Sequence, residues 1–177
     1  MNIAVLIATL GRGGAEGVVC RLANEWVHAG HQMTIVTYVN RGATSALFLD
    51  PRVNVTQLSL ILQKSSDVPA PSIPPIRQAL RRLCKIRSLI RLLAPDAVAA
   101  FTTKINIIAI AATRGLGIPV VVSERSHPEA FGTGHIRSAA RSLFYPFADA
   151  IVAQSTSLAK AFDRVTGKTL DAIVIQN

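Results

Sequence analysis

The chain opens on an uncharged apolar run, Ile3 to Leu10, that ends in a glycine-rich turn, Gly11-Arg12-Gly13-Gly14. Beyond it, Ala15, Val18, Val19, Leu22, Ala23 and Trp26 recur at helical spacing. This is the pattern of a buried parallel strand, a tight loop and a helix that hides one face. The first amide N–H groups of such a helix have no earlier carbonyl to bond, so the junction makes a concave spot suited to an anion. Glu16 falls in the first turn, where a carboxylate suits the macrodipole, and Gly30 is placed to end the helix.

The alternation then repeats. Strand patterns cover Met33 to Val39, Val53 to Leu60, Asp96 to Phe101, Val120 to Ser123, Ala150 to Gln154 and Ala172 to Ile175. Helical patterns cover Ile76 to Leu93, with Ile76, Leu80, Leu83, Ile86, Ile90 and Leu93 on the inward side, and Lys104 to Leu116. A fourth helix, with Ile136, Ala140, Leu143 and Phe144 inward, ends near Pro146, and a fifth reaches Val165 behind Ser155 or Thr156 as N-cap. Seven strands alternating with helices predict an α/β fold: one doubly wound, mainly parallel, Rossmann-like sheet over residues 1–177, with helices on both faces. Pro69, Pro71, Pro74 and Pro75 predict a long surface loop before the second helix. Ligands of such sheets bind beyond the carboxyl ends of the strands. The polar residues placed there are Gly11 to Glu16, Asn40 and Arg41, Thr102 to Lys104, Ser123 to His127, and Ser155.

Charge narrows the partners. With 19 Lys and Arg against 10 Asp and Glu, the net charge is +9, which argues for a polyanionic neighbour. Aromatics are scarce and no basic run is interleaved with them, so nucleic acid is not the expected partner. Ile76 to Leu93 carries Arg77, Arg81, Arg82, Lys85, Arg87 and Arg91 with no acid. Such a helix is either a solvated face or one that lies on anionic lipid headgroups. Cys20 and Cys84 lack metal or redox spacing and are expected as buried thiols in a reducing compartment. No apolar run is long enough for a signal sequence or a membrane span, so the expected location is cytoplasmic, at most peripheral to the membrane.

Familiar ligand signatures fail. A dinucleotide fingerprint read from Gly11 meets Glu16 where its third glycine belongs, and the second strand ends at Tyr38-Val39-Asn40 without an acid for a ribose. Gly167-Lys168-Thr169 resembles the end of a P-loop, but Phe162 holds the upstream glycine position. No His/Cys/Glu cluster has metal spacing, so neither a metal nor a bound cofactor is expected.

LGRGGAE after the first strand, Leu22-Ala23-Asn24, Gly30-His31 before MTIVT, ADAIVAQS and the closing IVIQN together form an ordered set of landmarks. The set resembles the N-terminal domain of GT-B glycosyltransferases of family 4, the retaining type that uses nucleotide sugars, and covers nearly the whole chain. The resemblance implies the acceptor-side half of an enzyme that moves a sugar from a nucleotide-diphosphate sugar to a glycan or lipid-linked saccharide, without turnover alone. The C-terminal domain that binds the donor, with its Glu-x7-Glu motif, is absent from this chain. By the same resemblance Gly13 and Gly14, followed by Glu16, form the loop that approaches the donor diphosphate. Gly17 stands where the family usually has a basic residue. Arg125 stands nearest the family's histidine, with His127 two residues on.

Glu124, Arg125 and His127 are thus the candidates nearest the chemistry, and Arg41, Thr103, Lys104 and Ser155 the candidate acceptor contacts. Two plainer readings stay open: Gly13 and Gly14 as a turn needing positive φ, and Glu124 with Arg125 as an ion pair ordering its loop. A stand-alone module binding a sugar phosphate or nucleotide is the alternative function.

Overall fold

The computed structural model describes residues 1–11, 13–38, 48–58, 75–125, 134–166 and 171–176. Its strands are β1 (Asn2–Ile7), β2 (Gln32–Thr37), β3 (Asn54–Gln57), β4 (Ala97–Phe101), β5 (Val120–Glu124), β6 (Ala150–Ala153) and β7 (Ile173–Val174). Its helices are α1 (Gly14–His28), α2 (Pro75–Leu93), α3 (Thr103–Thr113), α4 (Gly134–Phe144) and α5 (Thr156–Thr166), with a 3-10 turn at Tyr145–Phe147. All seven strands are parallel, in the order β3-β2-β1-β4-β5-β6-β7. The direction of winding reverses between β1 and β4, which opens a crevice beyond their carboxyl ends.

Alternate residues of each strand feed two cores, because successive side chains point to opposite faces. Val5, Ile7, Met33 and Ile35 meet Val19, Ala23 and Val27 of α1 on one face. Ala4, Leu6, Val98, Ala100 and Val122 meet α2 and α3 on the other, through Ile86, Ile90, Ile105 and Ala109. Ala153, Leu158 and Phe162 extend that second layer under α5. Four helices therefore cover one face, and among the described residues α1 alone covers the other.

Local chemistry sets the ends of these elements. Gly30, at φ +84, takes the left-handed conformation beyond the end of α1 that a side chain would strain. Asn24 of α1 ties down the approach to β3: its amide donates to the Phe48 carbonyl at 3.0 Å and its Oδ1 accepts the Asp50 N–H at 2.8 Å. Arg52 grips the Asp50 carboxylate with Nε and Nη2, and this hydrogen bonding holds the Asp50 carboxyl well below the usual range.

Two expectations are corrected on α2. Cys84 is exposed, so only Cys20 is a buried thiol; burial, then the Glu16 charge, pushes the Cys20 thiol up. Leu80 is 53% exposed although it shares the helical spacing of Ile86 and Ile90, because the α2 core contact is made by the later turns. Two of the basic residues serve the fold. Arg87 donates to the Ala112 and Arg114 carbonyls at the end of α3 (2.8 and 2.7 Å), where a cation offsets the helix dipole, and Arg82 lies over the Tyr38 ring. The expected proline-rich loop, Ile61 to Pro75, lies outside the described residues except for Pro75, which is the first residue of α2, and the Gly167-Lys168-Thr169 triplet lies outside them too.

Candidate functional site

The crevice is bounded by the turn after β1 and the start of α3 after β4. Gly13 is the N-cap of α1 with φ −120 and ψ 165, extended backbone that any residue adopts, and its carbonyl accepts the Gly17 N–H at 3.0 Å. Gly14, already helical, has no positive φ either. The need for a left-handed turn therefore does not explain these two glycines. A Cβ on Gly14 would meet nothing within 4 Å, so it would project into open space at the helix N-terminus. The two glycines put no side chain of their own over the first amide groups of α1, which favours close approach of an anion.

Glu16 folds back over this turn. Its Oε1 accepts the Thr9 hydroxyl at 3.1 Å, and a Cβ built on Gly13 would fall 2.1 Å from Oε2. A carboxylate at the third helical position reaching toward the cap offsets the orphan amides. It repels a phosphate, so Glu16 orders the turn and must swing aside if an anion takes its place.

On the other side of the crevice, Thr102 has φ +76, a strained conformation for a β-branched residue. It is the N-cap of α3, and no side chain caps that helix. Thr103 opens α3, with Lys104 exposed beside it. At the carboxyl end of β6, Ser155 accepts the Leu158 N–H at 3.2 Å and caps α5 as expected.

Glu124, the last residue of β5, and Arg125, the next in the chain, point to opposite faces of the sheet, and the Glu124 carboxylate pairs with Arg141. Glu124 is 0% exposed and faces α3 and α4. Its Oε1 accepts the Tyr145 hydroxyl and Arg141 Nε (3.3 Å), and its Oε2 accepts the Thr103 hydroxyl (3.1 Å). Arg141 Nη2 donates to Thr103 Oγ1 at 2.7 Å, and Asn106 donates to the Tyr145 hydroxyl and the Ser123 carbonyl. Burial pushes the Glu124 carboxyl up, against the Tyr145 hydrogen bond and the Arg141 charge; burial and the Glu124 charge push the Tyr145 phenol well up.

Glu124 is thus buried beneath α3 and α4, and its hydrogen bond to Thr103 ties it to the first residue of α3. Sequence reasoning missed Tyr145 and Arg141, and the polar Asn106 inside an apolar run was the one signal available. Arg125 faces α1, half-buried, with its guanidinium 5.7 Å from the Phe101 ring centre. Arg41 and His127 lie outside the described residues. Among the described residues no group of three or more His, Cys, Asp or Glu is gathered as metal ligands would be.

A doubly wound, all-parallel seven-stranded sheet of this order is a Rossmann-like fold of the kind that forms one half of a GT-B fold. A sequence model described as Glycosyl transferase 4-like domain matches residues 13–177, and the chain belongs to that family. It is 31% identical over 151 residues to a curated relative from Campylobacter jejuni subsp. jejuni serotype O:2 (strain ATCC 700819 / NCTC 11168). That relative is GalNAc-alpha-(1->4)-GalNAc-alpha-(1->3)-diNAcBac-PP-undecaprenol alpha-1,4-N-acetyl-D-galactosaminyltransferase, and the match covers 85% of this chain and 39% of the relative.

Among solved structures, Anabaena Alr3699/HepE in complex with UDP and glucose superposes with a TM-score of 0.69 at 18% identity, covering 99% of this chain and 44% of that one. UDP-GlcNAc 2-epimerase from Methanocaldococcus jannaschii superposes with a TM-score of 0.68 at 13% identity, covering 100% of this chain and 46% of that one. Transferase and epimerase share this half-fold, so the family match rather than the fold carries the assignment. The chain spans less than half the length of each of these proteins.

Proposed function

We propose that this chain is the acceptor-side half of a glycosyltransferase that moves a hexose-type sugar from a nucleotide-diphosphate donor to a glycan or lipid-linked saccharide, with retention of configuration, in cell-envelope glycoconjugate synthesis. The observation that carries it is the Gly13-Gly14 junction: two glycines with no conformational need for glycine, opening a helix N-terminus at the switch point. A leaving diphosphate is stabilised there by the helix N-terminus and its macrodipole, with Lys104 and Arg125, which follow the carboxyl ends of β4 and β5, assigned as the cations. Thr103 and Ser155 bond acceptor hydroxyls, and Arg41 and His127 are assigned to the same crevice from sequence. The donor is a substrate, and its nucleotide is assigned chiefly to a second domain, for which the longer relatives have room, so turnover is expected only with both halves together. The Campylobacter relative, by its name, acts on an undecaprenol-diphosphate-linked saccharide, which supports a lipid-linked acceptor here.

The test is made on the full native reading frame. Incubated with a panel of nucleotide-diphosphate sugars and membrane lipid extract, it transfers one labelled sugar to extractable lipid or glycan. Transfer from none of them, with the frame intact, sinks the reading.

The enzyme works at the cytoplasmic face of the membrane, held there by α2. No helix among the described residues is long and apolar enough to cross a membrane. The outer face of α2 carries exposed Arg77, Arg81 and Arg91 with Leu80 and Leu92, the last 82% exposed. Basic residues near an anionic surface contribute about 1 kcal/mol each. Replacing Arg77 and Arg81 by Gln is therefore expected to lower partition into phosphatidylglycerol vesicles about thirtyfold in co-sedimentation. Unchanged partition removes α2 as the anchor.

A further inference from the structure

The bend from β4 into α3, at the rim of the crevice, is held by buried groups. The Ser123 carbonyl accepts both the Thr102 N–H (3.2 Å) and the Asn106 side-chain amide (3.1 Å), which ties the end of β4 to the end of β5. The Thr103 hydroxyl is bonded to Glu124 Oε2 and to Arg141 Nη2, while Tyr145 and Arg141 Nε hold the other oxygen of the Glu124 carboxylate. Asn106, Glu124, Arg141 and Tyr145 are buried, whereas Thr103 itself is half-buried. A positive φ at a β-branched residue such as Thr102 persists only where its surroundings over-determine it, and this network does so.

The same bonds decide what Thr103 can still do. A hydroxyl has one proton to give and two lone pairs. Three side chains donate to Glu124, as they do to an ionised carboxylate, so the Thr103 proton is given to its Oε2. Arg141 Nη2 has only protons to give and fills one lone pair at 2.7 Å. One lone pair remains. A group that meets the Thr103 hydroxyl from the crevice must bring its own O–H or N–H, and a phosphate or carboxylate oxygen finds no proton there.

We infer that Glu124 and Arg141 are positioning residues that leave the Thr103 hydroxyl able only to accept, so that it selects a saccharide hydroxyl or acetamido N–H over an anionic group. The inference rests on the reading above of this crevice as the acceptor side of a glycosyltransferase. It adds the direction of one hydrogen bond and the residues that fix it. Glu124→Gln reverses that direction at constant shape. The new side chain must turn its oxygen to the two donors, Tyr145 and Arg141 Nε, so its amide faces Thr103 and donates. Both lone pairs of Thr103 are then filled, and its proton turns outward.

The test is initial-rate kinetics of the full-length enzyme with its nucleotide sugar and membrane lipid extract, read as separate apparent KM values for each. Thr103→Val removes the hydroxyl and Glu124→Gln reverses it. Each is expected to raise the KM for extract about tenfold while the KM for nucleotide sugar stays within about twofold of the parent. Thr103→Ser keeps the hydroxyl and is expected to match the parent. Arg141→Lys keeps the charge beside Glu124 but gives up the fork that also reaches Thr103, and is expected to raise the KM for extract severalfold. In the Thr103→Val background neither Glu124→Gln nor Arg141→Lys is expected to add to the shift, because all act on one hydrogen bond. Residues that only support the fold keep adding their own losses. An unmoved KM for extract in Thr103→Val, a shift in the KM for nucleotide sugar instead, or additive shifts in the double variants overturn the inference. A parent enzyme that transfers no sugar at all fells the glycosyltransferase reading beneath it, so the two failures are told apart.

Discussion

Arg141→Met is expected to destabilise the folded domain by about 3–5 kcal/mol, read from the urea midpoint by circular dichroism. Arg141 is 4% exposed and pairs with Glu124, which is 0% exposed, so removing the guanidinium strands a carboxylate where water cannot reach it. Methionine keeps much of the volume against the Phe162 ring, over which the guanidinium lies at 5.3 Å, so the loss reports charge more than packing. The pH dependence separates the two causes. Burial has already raised the Glu124 carboxyl, so its contribution to stability is full below the ordinary glutamate range and is lost as pH rises through the raised value. Without Arg141 that value climbs further, and the deficit of the variant is larger at pH 8 than at pH 5. The double variant Glu124→Gln/Arg141→Met is expected to recover most of the stability, because neither charge remains. Equal deficits at both pH values, with no recovery in the double variant, would mean the pair is only packing.

This cluster marks the limit of what the sequence discloses. The strands were legible because a two-sided buried strand must be an uninterrupted apolar run, and MTIVT and AVAAF can be little else in a chain of this composition. Their ends were less so: β1 stops at Ile7 rather than Leu10, since the chain leaves the sheet before its apolar residues run out. Helical spacing placed Leu80 inward, but spacing tells which residues share a face and not how far the neighbouring layer extends, and Leu80 projects past it. Glu124 and Arg125 were legible as strand-end residues, and their opposite directions follow from strand geometry alone. What no local pattern could give is that Arg141 and Tyr145, from a helix and a turn well downstream, converge on Glu124. Polar residues brought together by tertiary packing leave no period in the chain.

At the crevice, Gly14→Ala separates folding from function. The residue is the first of α1, has no positive φ, and has no atom within 4 Å of the site a Cβ would take. Alanine is favoured over glycine in a helix by about 0.5–1 kcal/mol, so the variant is expected to melt slightly higher than the parent. Under the proposed function the added methyl nonetheless stands where the donor diphosphate approaches the first amides of α1. A displacement on the order of 1 Å at a positioning contact costs about a hundredfold in rate, so kcat/KM of the full-length enzyme is expected to fall by about that factor. Gly13→Ala is a graded companion: its methyl would meet the Glu16 carboxylate, a flexible end that can move, and would push it off the turn. A glycine kept only for the turn gives the opposite result at Gly14, since stability and activity would then fall together or not at all. Higher stability with a hundredfold loss of transfer, assayed on one protein preparation, leaves close approach of the donor as the reason for the glycine.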